Sequence, residues 1–155
     1  MQHLLKPLVV SWGYESETPS GSPFVDQHEW LGTRDISAFL SVPAAIEFQA
    51  KHKWDEVRAA CHDLAKDAQT RVCDLTGLAP LHAMRSADHW FAQLTAAPLP
   101  ADTDIAALKS RFYDEYRIEI PILAWKDKKL VRISIQGYNS KKDVDHLLFA
   151  LSKLL

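Results

Sequence analysis

The residues Trp54, Val57, Cys61, Leu64, Ala68, Val72 and Leu75 recur at steps of three and four, which is one face of a long helix. Asp67 and Arg71 add an i,i+4 pair on its surface, and Gly77 offers a left-handed stop. A helix with a single apolar stripe must lay it on another layer. The sequence that follows supplies one. Residues 89–99 read as a strand closed by Pro98 and Pro100, and Asp102 or Thr103 caps a helix with Ile105, Leu108 and Phe112 on its inner side. Residues 118–125 and 130–136 flank the polar turn 126–129, which predicts a hairpin. Ser140 with Asp143 resembles a capping box and opens a last helix whose apolar side is Val144, Leu147, Leu148, Leu151 and Leu154. The order helix, strand, helix, two strands, helix predicts an α+β fold, a small antiparallel sheet with helices on one face.

Upstream the pattern is poorer. Residues 8–12 read as a strand, 15–26 as a loop rich in Ser, Pro and Gly, and 36–51 as a helix. Asp35 or Ser41 would cap that helix, with Pro43 in its first turn. A lone strand with no partner before it recruits another chain, so a homo-oligomer is expected. At 155 residues and 47% hydrophobic, the chain supports one core with an appended segment. Eighteen basic residues against twenty acidic ones leave a net charge of −2, without the basic excess that binds nucleic acid. No apolar run reaches membrane-spanning length, and no leader peptide is read at the start. Cys61 and Cys73 fall on one helix about 18 Å apart, too far for a disulfide. These features point to the cytoplasm.

Two places invite anion chemistry. In the second hairpin strand Val131, Ile133 and Ile135 share one face, and Arg132, Ser134 and Gln136 share the other. An arginine there either lies on a solvated face or holds an anion, for its planar fork matches a carboxylate. The pair Gly32-Thr33 is either a turn and cap or a phosphate contact: glycine allows close backbone approach, and threonine offers a hydroxyl and an N–H. The histidines carry no metal-ligand spacing. His82 and His89 lack a carboxylate or cysteine at the right interval, and His62 lies near the polar side of the long helix, where solvent is expected. His52-Lys53 suits a helix C-terminus by charge alone.

Three stretches together resemble the class V aminotransferase-fold pyridoxal-phosphate (PLP) enzymes, in particular the isopenicillin N epimerase-like group. They are residues 30–46 (WLGTRDISAFLSVPAAI), 113–122 (YDEYRIEIPI) and 131–139 (VRISIQGYN), followed by Asp143 and the closing helix. The resemblance implies a fold-type-I enzyme acting on an amino-acid substrate. It implies that Gly32 and Thr33 contact the cofactor phosphate and that Arg132 grips the substrate carboxylate. It also implies that residues 1–35 trail from a large PLP domain while 36–155 form the C-terminal small domain. The Schiff-base lysine of such enzymes lies before the Gly-Thr segment in a Ser-x-x-His-Lys pattern. Here Gln49 stands where that serine would be, and His52-Lys53 follows Gly32-Thr33. No catalytic residue and no metal ligand is therefore assigned in this chain, and the chain alone is expected neither to retain PLP nor to catalyse. The alternative is a stand-alone interaction or small-ligand-binding module that has kept the domain fold.

Overall fold

The computed structural model describes residues 1–81 and 90–155. His82 and His89 lie outside the described residues, and the strand read over residues 89–99 is shorter than expected: residues 90–93 are not strand and it begins at Leu94. The chain divides into two compact units, Met1–Phe48 and Gln49–Leu155.

In the first unit the strand expected over residues 8–12 does not form. No strand of this unit offers its backbone a ladder, and the chain turns instead, with the Tyr14 N–H donating to the Ser11 carbonyl at 2.9 Å. The loop expected over 15–26 is also corrected, because its end winds into α1, Pro23–Glu29. Ser22 caps that helix by accepting from the Val25 N–H, and Pro23 opens it. Gly13 holds the two pieces together: its N–H donates to the Trp30 carbonyl at 2.8 Å. A Cβ on Gly13 would lie 1.6 Å from the Asp26 carbonyl oxygen, so only glycine fits.

The helix expected over 36–51 is interrupted. α2 covers Ser37–Leu40 and α3 covers Val42–Lys51, with a turn at Ser41. Pro43 has no N–H to give back to the preceding turn and restricts Val42, which explains the break. Every buried hydrophobic residue belongs to the second unit, and the first leaves Leu8, Trp12 and Leu40 largely exposed.

The second unit begins with α4, Trp54–Thr76, closed by Gly77 in the left-handed region at φ 68°. Its buried stripe is Cys61, Ala65, Ala68, Gln69, Val72 and Cys73, while Leu75 at the end of the expected face is exposed. Both cysteines are free and buried. His62 is not simply solvated as expected. It is half-buried, with Nδ1 2.8 Å from the Ala92 carbonyl oxygen and its ring tilted against Phe91.

Strand β1 runs Leu94–Leu99, β2 Ile122–Trp125 and β3 Lys128–Ser134, in the spatial order β1-β3-β2 and antiparallel throughout. The hairpin turn is tighter than the four residues expected: residues 126–127 alone make it, with Lys126 at φ 54°. α5, Ile105–Tyr116, is capped by Asp104 rather than Asp102 or Thr103. Asp104 immediately precedes the first helical residue, and its carboxylate accepts the Ala107 N–H at 3.0 Å.

The last helix, α6, spans Lys141–Leu154 and starts with the expected capping box. There Asp143 Oδ2 accepts the Ser140 N–H at 2.7 Å. Arg71 ties α4 to α6 through Asp145 at 2.6 Å.

The core is one layer between sheet and helices. Thr95, Ala97, Leu99, Ile122, Val131 and Ile133 face Val72, Leu108, Phe112, Val144 and Leu151. Paired residues of an antiparallel ladder share a face. The opposite face of the sheet therefore carries Leu94 with Ser134, Ala96 with Arg132, and Leu123 with Leu130. The architecture is the α+β arrangement the sequence pattern predicts, with the helices on one side. No described helix is long and apolar enough to cross a membrane.

Candidate functional site

Alternation along β3 decides where Arg132 points. Val131 and Ile133 are 0% and 2% exposed, so the residue between them must leave by the other face, and Arg132 is exposed there. Its backbone is held firmly, because the Arg132 N–H donates to the Pro121 carbonyl at 2.9 Å. The guanidinium meets neither a carboxylate nor another acceptor among the described residues. It lines a cleft of about 160 Å³ together with Glu119, Pro121, Ser134, Asn139 and Asp143.

Two of those polar groups are already engaged. Asn139 Oδ1 accepts the Gln136 N–H at 2.9 Å, and Asp143 is committed to its cap. Arg132 is left as a cation on a rigid strand with its fork open, which suits a carboxylate, and the side chains of Glu119 and Ser134 are likewise without a partner among the described residues.

Glu119 was not singled out from the sequence. The hydrogen bond from the Arg132 N–H to the Pro121 carbonyl carries the contact with β3 one residue past the start of β2, and Glu119 lies two residues before Pro121. Ile118 and Ile120 on either side of it pack against the core, while Glu119 is exposed. The alternation of residues 118–121 was the signal that would have found it.

Gly32 and Thr33 lie in the first unit, Arg132 in the second. Gly32 has φ 103°, a conformation that L side chains rarely adopt, and a Cβ there would come within 3.3 Å of the Trp12 ring. Thr33 is exposed, and its hydroxyl and N–H have no partner among the described residues. A turn that bares a small hydroxyl and an N–H fits the edge of a phosphate. Nearby, Ser37 donates both its hydroxyl and its N–H to Asp35, holding that carboxyl below its ordinary value. Arg34 lies over the Phe39 ring at 5.1 Å. Among the described residues no group of three or more His, Cys, Asp or Glu side chains is arranged to hold a metal ion.

No protein-family profile matches the chain. Similarity to individual proteins is clear. The chain is 34% identical over 160 residues to isopenicillin N epimerase of Amycolatopsis lactamdurans, and 30% identical over 160 residues to that of Streptomyces clavuligerus. Each match takes in 97% of this chain and 40% of the relative. Over nearly its whole length the chain is similar to isopenicillin N epimerases.

It thus spans about 40% of the length of the curated relatives it matches, consistent with a C-terminal part of such a protein. A probable chloroplastic L-cysteine desulfhydrase of Arabidopsis thaliana is 26% identical over 151 residues, 87% of this chain and 31% of that protein. Among solved structures, 8-amino-7-oxononanoate synthase of Francisella tularensis aligns with a TM-score of 0.52 at 15% identity. That alignment covers 90% of this chain and 34% of the synthase and speaks for the fold, that of a fold-type-I PLP enzyme.

Proposed function

We propose that this isopenicillin N epimerase-like chain is the C-terminal, substrate-gripping part of a PLP-dependent enzyme that acts on an amino-acid substrate. Arg132 carries the reading: an exposed guanidinium on a strand, with no acceptor among the described residues, is suited to take an anion. In this role Arg132 binds the substrate carboxylate and orients it. Gly32 and Thr33 would hold an oxygen of the cofactor phosphate through backbone and hydroxyl donors. Bound PLP would act as an electron sink for chemistry at the amino-acid carbon.

The similar proteins are named for two different reactions, an epimerisation and a desulfhydration. Anion binding is what both reactions would share, and it is the chemistry that Arg132, Gly32 and Thr33 offer. The Schiff-base lysine belongs to polypeptide other than these residues, so the chain by itself neither fixes the cofactor nor turns over substrate. Residues 1–35 belong with the large PLP domain and 36–155 with the small domain. The assembled enzyme is a homo-oligomer, and free Cys61 and Cys73 suit the reducing cytoplasm.

The test is a chimera in which this chain replaces the matching 40% of the Amycolatopsis lactamdurans isopenicillin N epimerase. The chimera should retain PLP through gel filtration. Arg132→Ala in it should raise the substrate concentration needed for half-maximal rate by about ten- to hundredfold, the loss of a charge-assisted pair. Borohydride treatment of this chain alone with PLP should label no single lysine. A specific adduct on Lys53, or an Arg132→Ala chimera with unchanged kinetics, would overturn the proposal.

A further inference from the structure

We propose that Glu119 is a specificity-determining residue of the Arg132 cleft. It would engage a second, cationic or N–H-bearing group on a substrate whose carboxylate Arg132 holds; this rests on the reading of Arg132 given above. Three observations on the second unit converge. Glu119 and Arg132 line the same cleft. The Arg132 N–H donates to the Pro121 carbonyl, two residues along the chain from Glu119, and Glu119 is exposed between Ile118 and Ile120, which pack against the core.

The third observation is that the two do not pair. No hydrogen bond or ion pair engages either charged group among the described residues. Of the other polar groups of the cleft, Asn139 and Asp143 are spoken for by Gln136 and Ser140, and Ser134 is uncharged. Among the described residues, the lining of the cleft therefore includes one cation, Arg132, and one anion, Glu119, neither of which has a partner. Such a pair favours ligands with a carboxylate at one end and a donor at the other. It disfavours dicarboxylates, because Glu119 repels the second negative charge. The donor in question is distinct from the α-amino group that the cofactor would take, so the substrate class is an amino acid with a further ammonium or amide N–H.

The 155-residue chain can be titrated, with its amide resonances followed by NMR, using three probes of equal backbone length: δ-aminovalerate, valerate and glutarate. The expected order of affinity is δ-aminovalerate, then valerate, then glutarate. Glu119→Gln should remove the advantage of the amine, about two- to fivefold for an exposed ion pair, and relieve the exclusion of glutarate. Arg132→Ala should abolish the response to all three. If Arg132→Ala abolishes binding but Glu119→Gln leaves the order unchanged, the Glu119 assignment alone falls. Saturable binding that survives Arg132→Ala, or no saturable shift with any probe, removes the Arg132 reading and this inference with it. Both substituted residues are exposed, so the unchanged part of the amide spectrum reports that each variant is folded.

Discussion

Substituting Arg132 and its neighbour Ile133 separates a binding residue from a structural one within two positions of a single strand. Arg132 is exposed and engages no partner among the described residues. Arg132→Ala in this chain should therefore change the folding free energy by about 0.5 kcal/mol or less. For a unit of this size that is a shift in melting temperature of about 2–4 °C at most. Ile133 is 2% exposed and sits in the core against the helices. Ile133→Ala should cost about 2–5 kcal/mol, the lost transfer energy plus the cavity left behind. Urea unfolding followed by tryptophan fluorescence measures both, and the slope of the transition shows whether the two-state description holds. A loss above about 2 kcal/mol for Arg132→Ala would mean that the guanidinium or its stem holds the sheet together, most directly by covering Leu130 on the same face. The substrate role would then lose its support, since the residue would be explained by stability alone.

Other expectations follow from single contacts. Gln69 is buried, and its Nε2 donates to Thr95 Oγ1 at 2.7 Å and to the Ala96 carbonyl at 2.8 Å, on the free edge of β1. Gln69→Leu should cost about 2 kcal/mol or more by leaving those acceptors unmet, and adding Thr95→Val should recover part of it in a double-mutant cycle. Glu115 is held below its ordinary value of 4.5, first by the hydrogen bond from Arg111. A depressed folded-state pKa means stability present at neutral pH and lost as pH falls through the folded value. The melting-temperature difference between the unsubstituted chain and Glu115→Gln should therefore shrink below pH 4.5 and vanish in stronger acid. The first unit leaves Leu4, Leu8, Val10 and Trp12 more than half exposed, so the chain should self-associate, and light scattering that shows a monomer at high concentration would refute this.

The sequence by itself determined the second unit to within a few residues. There the 3.6-residue period of α4, the alternation of β3 and the Ser140–Asp143 cap are local signals that agree with the packing, because each apolar stripe faces another stripe of the same chain. Three motifs also carried the resemblance to the isopenicillin N epimerases.

Local pattern failed where a partner or a register decides the outcome. Residues 8–12 are apolar enough for a strand, but a strand exists only if its hydrogen bonds find a neighbour, and no strand of the first unit supplies one. Asp104 capped α5 ahead of Asp102 and Thr103 because a side chain caps only from the position next to the first helical residue. His62 looked solvated on a helical wheel, yet it found the Ala92 carbonyl thirty residues away. Glu119 gained its meaning only from the tertiary structure, which puts it in the lining of the same cleft as Arg132. Chain periodicity says which face a residue occupies, while the pairing of distant segments says what shares that face with it.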